Sequence, residues 1–316
     1  MKLVDNCPIC HSRDLIKLKN YLFKKSTYPE SSRVRLIFTE ILKNKENCNF
    51  YVNFCQKCGF IFLNPRFSED DYKIIFKTKE MNITADLKEY QRFSKAYKLI
   101  NKFYKTNFQN KPKVLDYGGQ NGSFLIPYIK NYKCFLIDYY KYKLPKFIQY
   151  LGRNSDDLKG NDIFDIIFSI RVLEHVNNPR ELITDLVNNL HEDGILYIQV
   201  PFGCLNEWRS LYHPVSHINF FSEESLYKCL KLSGLNVIYL KTSFYRTKKR
   251  TAGWKIDIVG TKRKKEKDKI ISQVSSTKLQ QLKLFYYFIL LFRKKTIKFS
   301  YIKSKIKQIT RKTFKK

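Results

Sequence analysis

A chain of 316 residues with 43% hydrophobic content allows one large domain plus appendages, with ample material for a core. Its formal net charge of +32 makes nucleic acid, an anionic membrane surface and anionic substrates the candidate partners. Met1 to Cys10 has no secretory-type apolar stretch, and the longest strongly apolar run, Leu284 to Phe292, is far short of the ~20 residues that span a bilayer.

These features lead us to expect a cytoplasmic protein whose eight cysteines are reduced, which favours metal binding over disulfides. Cys7-Pro8-Ile9-Cys10 and Cys55-Gln56-Lys57-Cys58 form two knuckles, each able to put two thiolates on one metal. Together they complete a tetrahedral, structural zinc site. Disulfides would require export. A haem-attachment reading of Cys7 to His11 would leave Cys55 and Cys58 unexplained. The 44 residues between the knuckles are expected to form an inserted hairpin or helix. Cys48 reads as a buried small residue.

Residues 69–108 read as helical, with Leu87, Tyr90, Tyr97, Ile100 and Tyr104 on a core-facing stripe. Tyr90 is also a candidate cover for a ligand pocket. Pro112 ends this segment. From residue 113 strands and helices alternate. Strands are expected at 113–117, 133–138, 147–151, 164–169, 194–200, 235–242 and 254–261, and helices at 123–131, 179–190 and 223–233. Alternation of this kind implies a mainly parallel sheet covered on both faces. Asn178 before Pro179 reads as a helix N-cap, and Gly194 as the close of that helix.

The centre of the chain is Val114-Leu115-Asp116-Tyr117-Gly118-Gly119-Gln120-Asn121-Gly122, an apolar run ending in an acid and a glycine-rich turn before a helical pattern. A loop in that setting binds nucleotide-like ligands, because glycine permits φ > 0 and close approach of a ligand to the main chain. Asp138 ends the next apolar run, 22 residues after Asp116, where an acid is placed to bind ribose hydroxyls. Phe164 to Ser169 and Val172-Leu173-Glu174-His175-Val176 follow.

On these residues the stretch from Val114 to about Gly260 resembles class I S-adenosylmethionine (SAM) methyltransferases, with Gln120 where the family's Asp-x-Gly-x-Gly-x-Gly loop has its middle glycine. The resemblance implies that SAM is held by Asp116, Gly118, Gly119, Gln120, Gly122 and Asp138. Ser169 lies at the strand end that borders the site. Asp156 or Asp157 would sit on the adenine amino group, or else form a solvated acidic turn. Cys58-Gly59-Phe60-Ile61-Phe62-Leu63-Asn64-Pro65-Arg66 is similar to the exit of a zinc ribbon that some sugar-modifying SAM methyltransferases carry, which extends the resemblance over most of residues 5–260. His213-Pro214-Val215-Ser216-His217-Ile218-Asn219-Phe220-Phe221-Ser222 resembles the family's His-x-x-Phe/Tyr-Phe-Ser segment, which brings a histidine to the substrate side. His217, with His213 second, is the candidate general base. Sugar C-methylating relatives carry an acid where Ser216 stands. Glu174 and His175 are candidates for packing, loop orientation or substrate contact.

Beyond residue 261 the chain turns basic, from Lys262-Arg263-Lys264-Lys265 onward, with Leu279, Leu282, Phe285, Phe288, Ile289 and Phe292 at helical spacing. Two readings stay open: an amphipathic helix on an anionic membrane surface, or a terminal helix docked on the protein. The expectation is an α/β fold, a doubly wound Rossmann-like, mainly parallel seven-stranded sheet. The expected parts are a zinc ribbon at 1–66, a helical linker or lid at 67–111, a methyltransferase domain at 112–261 and a basic helical tail at 262–316. The expected function is methylation of a sugar or glycan precursor in the cytoplasm, with peripheral contact of the tail at the inner membrane face. An RNA methyltransferase is the alternative that the charge favours. However, neither an Asn/Asp-Pro-Pro-aromatic tetrad nor a nucleophilic cysteine follows the 164–169 strand. A non-catalytic zinc-ribbon scaffold is the third reading, supported by Gln120 alone.

Overall fold

The computed structural model describes residues 1–28, 35, 37–77, 96–104, 111–141, 143–158, 163–203, 217–246 and 252–263. Leu87, Tyr90, His213 and the tail beyond Arg263 lie outside them.

The glycine-rich region sits where the apolar runs come together. β4 (Lys113–Tyr117), β5 (Lys133–Ile137), β6 (Ile148–Gly152), β7 (Phe164–Ile170) and β8 (Leu190–Pro201) pair in parallel, and β10 (Asn236–Arg246) and β11 (Ala252–Thr261) add an antiparallel edge. The order across this seven-stranded sheet is β10-β11-β8-β7-β4-β5-β6. The chain starts at β4, runs outward through β5 and β6, then returns to the other side of β4 with β7. That reversal opens a crevice beyond the carboxyl ends of β4 and β7, where open α/β sheets bind ligands.

Both faces are covered, as near-continuous apolar strands require. The first helix, α1, spans Glu69–Lys77. On one face of the sheet Leu115, Ile137, Ile167 and Ile198 are buried in one cluster with residues of helices α2 (Pro179–Asn188) and α3 (Glu223–Leu232). On the other, Val114, Leu136, Phe168 and Tyr197 pack with Phe124, Tyr128 and Ile100, the last from the helical segment 96–103.

A second sheet, of order β1-β2-β3-β9, contains the insert between the knuckles. β1 (Leu15–Lys24) and β2 (Asn47–Cys55) form an antiparallel pair running from Leu15↔Cys55 to Lys24↔Asn47. β3 (Ile61–Asn64) pairs with the two-residue β9 (Asn219–Phe220), through Ile61↔Phe220 and Phe62↔Asn219. Cys7, Cys55, Cys58, Phe60 and Phe62 share one buried cluster with Phe221, Leu226 and Ile198. The cysteine-bearing segment and the large sheet are thus joined through a common core and a common strand pairing.

Three local expectations are corrected. The helix at 123–131 is a short 3-10 turn, Ser123–Tyr128, with Pro127 inside it, where the missing N–H and the ring oppose a continuing α-helix. α2 stops at Asn188, and β8 begins at Leu190, so Gly194 lies inside a strand rather than closing a helix. A side chain at Gly194 would meet the backbone oxygen of Asp165 at 2.9 Å. Asn178 precedes Pro179 as expected, but its amide donates to Glu181 Oε2 at 2.8 Å instead of capping the backbone. Cys48 is buried, and its thiol lies 3.5 Å from Met1 Sδ. Among the described residues no helix is long and apolar enough to cross a membrane.

Candidate active site

The loop after β4 has the backbone its glycines permit. Gly118, Gln120 and Gly122 have φ of 77°, 49° and 73°. Gly118 N donates to Ile137 O at 2.7 Å, and Gly122 N to Gly119 O at 2.9 Å, so the loop folds back on itself and onto β5. A Cβ at Gly118 would meet Val172 Cγ2 at 2.4 Å, and one at Gly119 would meet Asp116 Oδ2 at 2.5 Å. Both positions require glycine for space, and the first also for its φ.

Two carboxyls border this loop. Asp116 is 2% exposed, and burial, with Asp138 as a second cause, pushes its carboxyl up to about 8. Asp138 is also raised by burial, against hydrogen bonds from the backbone N–H groups of Tyr140 and Gln120, which favour its charged form. Those bonds measure 3.2 Å and 2.9 Å. Asp157 is an exposed residue that caps its own turn, accepting from Arg153 N at 2.5 Å and Asn154 N at 3.3 Å. Asp156 accepts from Asn154 Nδ2 at 2.9 Å. Ser169 ends fully buried beside Tyr117, and its hydroxyl has no hydrogen-bond partner among the described residues. A buried hydroxyl of that kind at a crevice fits a polar ligand. Together with the glycine cradle it matches what SAM requires of a protein.

The second half of the site begins where Val172 packs on Gly118. Three residues on, the His175 ring meets the His217 ring edge-to-face, with centroids 4.8 Å apart. The possible ligand atoms of Glu174, His175 and His217 all lie within 4.8 Å of one another, and Glu174 is 1% exposed. The expected candidates His217, Glu174 and His175 therefore converge. His213 lies outside the described residues. Arg171, at φ 58°, places its guanidinium over the Tyr245 ring at 5.1 Å.

The site also contains a clamp that sequence reasoning missed. Arg66, 2% exposed, donates to Asn177 O, to Asn219 Oδ1 at 2.7 Å and to Leu63 O at 3.3 Å. Asn219, also 2% exposed, donates to Leu173 O at 2.7 Å and Val176 O at 2.6 Å, and its backbone N–H reaches Glu174 O at 3.2 Å. The signal in the sequence is the Asn64-Pro65-Arg66 exit and the Asn219 of the histidine segment, but Arg66 and Asn219 lie 153 residues apart in the chain and nothing local joins them.

At the opposite end of β3 the four cysteines meet. The Sγ atoms of Cys7, Cys10, Cys55 and Cys58 lie within 4.8 Å of one another, with Cys7–Cys58 and Cys10–Cys55 at 3.5 Å. Thiolates around one tetrahedral zinc are ~3.8 Å apart, so the donor set and its spacing fit zinc. Hydrogen bonding among the thiols, with Cys58 foremost, lowers Cys10 and brings Cys55 down to about 4. Bonding to Cys10 foremost raises Cys7 and Cys58.

Residues 88–240 match the family described as "Methyltransferase domain". The matched stretch includes β4 through β8 of the large, mostly parallel sheet described above. The ubiquinone biosynthesis O-methyltransferase of Rickettsia canadensis is 24% identical over 125 residues, covering 34% of this chain and 50% of that protein. The chain thus spans about half the length of this curated relative. A SAM-dependent methyltransferase from Methanosarcina mazei aligns with a TM-score of 0.42 and 17% identity, over 52% of this chain and 96% of the other. A Burkholderia thailandensis 1,6-didemethyltoxoflavin-N1-methyltransferase, solved with S-adenosylhomocysteine, aligns with a TM-score of 0.44 and 11% identity, over 64% and 94%.

Proposed function

We propose that this chain is a SAM-dependent methyltransferase that methylates a sugar or glycan precursor, with one structural zinc held by Cys7, Cys10, Cys55 and Cys58. The observation that carries the reading is the meeting of two halves at one crevice. Val172 packs on Gly118 of the glycine loop, and the segment it opens leads to the His175–His217 ring pair. The loop Asp116–Gly122, Asp138 and Ser169 would hold SAM. When bound, SAM supplies an electrophilic methyl group. The acceptor, a hydroxyl or a carbon next to a keto group, must lose a proton, and His217 takes it as general base. Glu174 is buried beside this pair, where a carboxylate favours the imidazolium that results. A zinc held by these four cysteines would have all four positions filled by thiolates, leaving none open for chemistry.

The test is calorimetry with S-adenosylhomocysteine, followed by incubation of the purified protein with SAM and a panel of nucleotide-linked sugars, with methylated product read by mass spectrometry. Binding of S-adenosylhomocysteine and mass gain on a sugar support the proposal. Failure to bind S-adenosylhomocysteine overturns it. Methylation of RNA in the same assay would favour the second reading, whose support is the net charge of +32.

We also propose that the basic residues beyond 261 hold the enzyme at an anionic membrane, since surface lysines near such a bilayer contribute ~1 kcal/mol each. Equal sedimentation of full-length and tail-deleted protein with anionic vesicles would refute this.

A further inference from the structure

Between the four cysteines and the two histidines runs an unbroken series of short contacts. Cys55 N donates to Phe60 O at 2.8 Å, which closes the second knuckle onto the start of β3. β3 pairs with β9, and Leu63 N donates to Ile218 O at 2.8 Å, one residue after His217. The chain then turns through Pro65 to Arg66, whose buried guanidinium bridges Asn177 O, after His175, and Asn219 Oδ1, after His217. Asn219 in turn fastens the histidine segment: its amide binds Leu173 O and Val176 O, on either side of Glu174 and His175, while Ile218 N binds Glu174 O at 2.8 Å. Asn177 Nδ2 closes the circuit by donating to Phe67 O at 3.0 Å.

We propose that Arg66 and Asn219 are positioning residues for methyl transfer, fixing the His175–His217 ring pair to the cysteine module. Arginine is rarely buried to 2% exposure, and this one is directed at three acceptors, two carbonyls and an amide oxygen. The planar, forked guanidinium can reach the histidine-bearing segment and β9 at once, which a point-charge lysine cannot reproduce in full. Asn219 offers an acceptor to Arg66 and two N–H groups to the opposite carbonyls, so each of its polar atoms is used. Burial lowers Arg66 to about 10, which leaves it charged at neutral pH. Neither side chain needs to touch substrate. Their effect reaches the chemistry through the angle and separation of the two imidazoles, and small misplacement of a general base is costly in rate. In this arrangement the cysteine module is the fixed foundation of the base, which explains why it is wired into the catalytic loop instead of hanging beside it.

The catalytic part of this inference rests on the proposed role of His217, and the test is chosen to separate the two. In full-length protein, the imidazole signals of the five histidines are followed by NMR across pH in wild type, Arg66→Met, Arg66→Lys and Asn219→Asp. The last variant keeps an acceptor for Arg66 but loses the two donations to Leu173 O and Val176 O. The expected result is displaced signals and altered titration for His175 and His217 in Arg66→Met and Asn219→Asp, partial return in Arg66→Lys, and unmoved His191 in all. Zinc content and affinity for S-adenosylhomocysteine are expected to stay within about twofold, while kcat on a methylated sugar drops at least tenfold with a displaced pH profile. Unmoved His175 and His217 signals overturn the inference, whatever the enzyme's substrate proves to be. If Arg66→Met fails to fold, Asn219→Asp alone decides. Displaced signals with wild-type kcat and pH profile would leave the clamp real but overturn its part in methyl transfer, and with it the proposed base.

Discussion

Asp138 accepts a hydrogen bond from Gln120 N at 2.9 Å, so the acid expected on a ribose also pins the glycine-rich loop expected to hold the same ligand. Gln120 holds a left-handed backbone at φ 49°, where a side chain costs ~1–2 kcal/mol and glycine costs none. Removing Asp138 should therefore act twice, on the hydroxyl contacts and on the loop. We expect Asp138→Ala to weaken S-adenosylhomocysteine binding by about 1.5–3 kcal/mol in calorimetry, the size of a charge-assisted hydrogen bond. Wild-type affinity in that variant would refute the assignment.

Gln120→Gly should move the other way. It relieves the left-handed strain but adds freedom to the unfolded chain, a loss of about 0.4–1 kcal/mol. The expected net effect is stabilisation of up to ~1 kcal/mol, read from urea unfolding, with S-adenosylhomocysteine affinity no lower than in wild type. A clear destabilisation would mean that the Gln120 side chain makes a contribution of its own.

Asp116 gives the ligand-free protein a pH dependence of definite sign. Its carboxyl is pushed up to about 8, mainly by burial, while the unfolded chain ionises at its ordinary ~3.9. The folded state keeps the proton longer. Its contribution is therefore fully present below about pH 4 and is lost as pH rises toward about 8. Asp116→Asn, neutral throughout, should gain on wild type by a few kcal/mol across that window, as followed by denaturant unfolding at several pH values. Parallel profiles for the two proteins would contradict the burial argument.

How much of this was legible depended on whether the signal was periodic. The central strands came within a residue or two, because continuous runs such as Phe164 to Ser169 can be satisfied only inside a covered sheet. The knuckles and the glycine loop were legible because their chemistry demands particular residues at fixed spacing. β9 was not, since two residues carry no period. Arg66 was not, because an arginine ordinarily reads as exposed and nothing local reveals that Asn177 O and Asn219 Oδ1 await it. The early start of β8 was hidden by His191-Glu192-Asp193-Gly194, which reads as a turn but continues the strand with its polar side chains exposed.

The cysteine cluster predicts a stoichiometry. Metal analysis of protein purified without chelator should give about one zinc per chain. Cys55→Ser should lose it and, because Cys55 shares a buried cluster with Phe60, Phe62 and Phe221, should lower the unfolding temperature as well. Unaltered zinc content in that variant would exclude the site.

His217→Ala separates binding from chemistry. The imidazole sits beside His175 on the histidine segment, whereas the glycine loop, Asp138 and Ser169 belong to the carboxyl ends of β4, β5 and β7. Its removal leaves the loop, its hydrogen bonds and its glycines untouched, so S-adenosylhomocysteine should bind with near wild-type affinity. Turnover on the methylated sugar should fall by roughly 10²–10⁴-fold, the contribution of a positioned base. The loss should appear in kcat more than in KM, since proton removal belongs to the transition state and not to the bound ground state. His175→Ala should cost less than His217→Ala, because His175 orients its neighbour, and Glu174→Gln should move the acid limb of the kcat profile toward lower pH, because a neutral amide no longer favours the imidazolium. The measurement that decides is therefore the acid limb in Glu174→Gln beside wild type, and a limb displaced upward, or full turnover in His217→Ala, would remove His217 from the role of base.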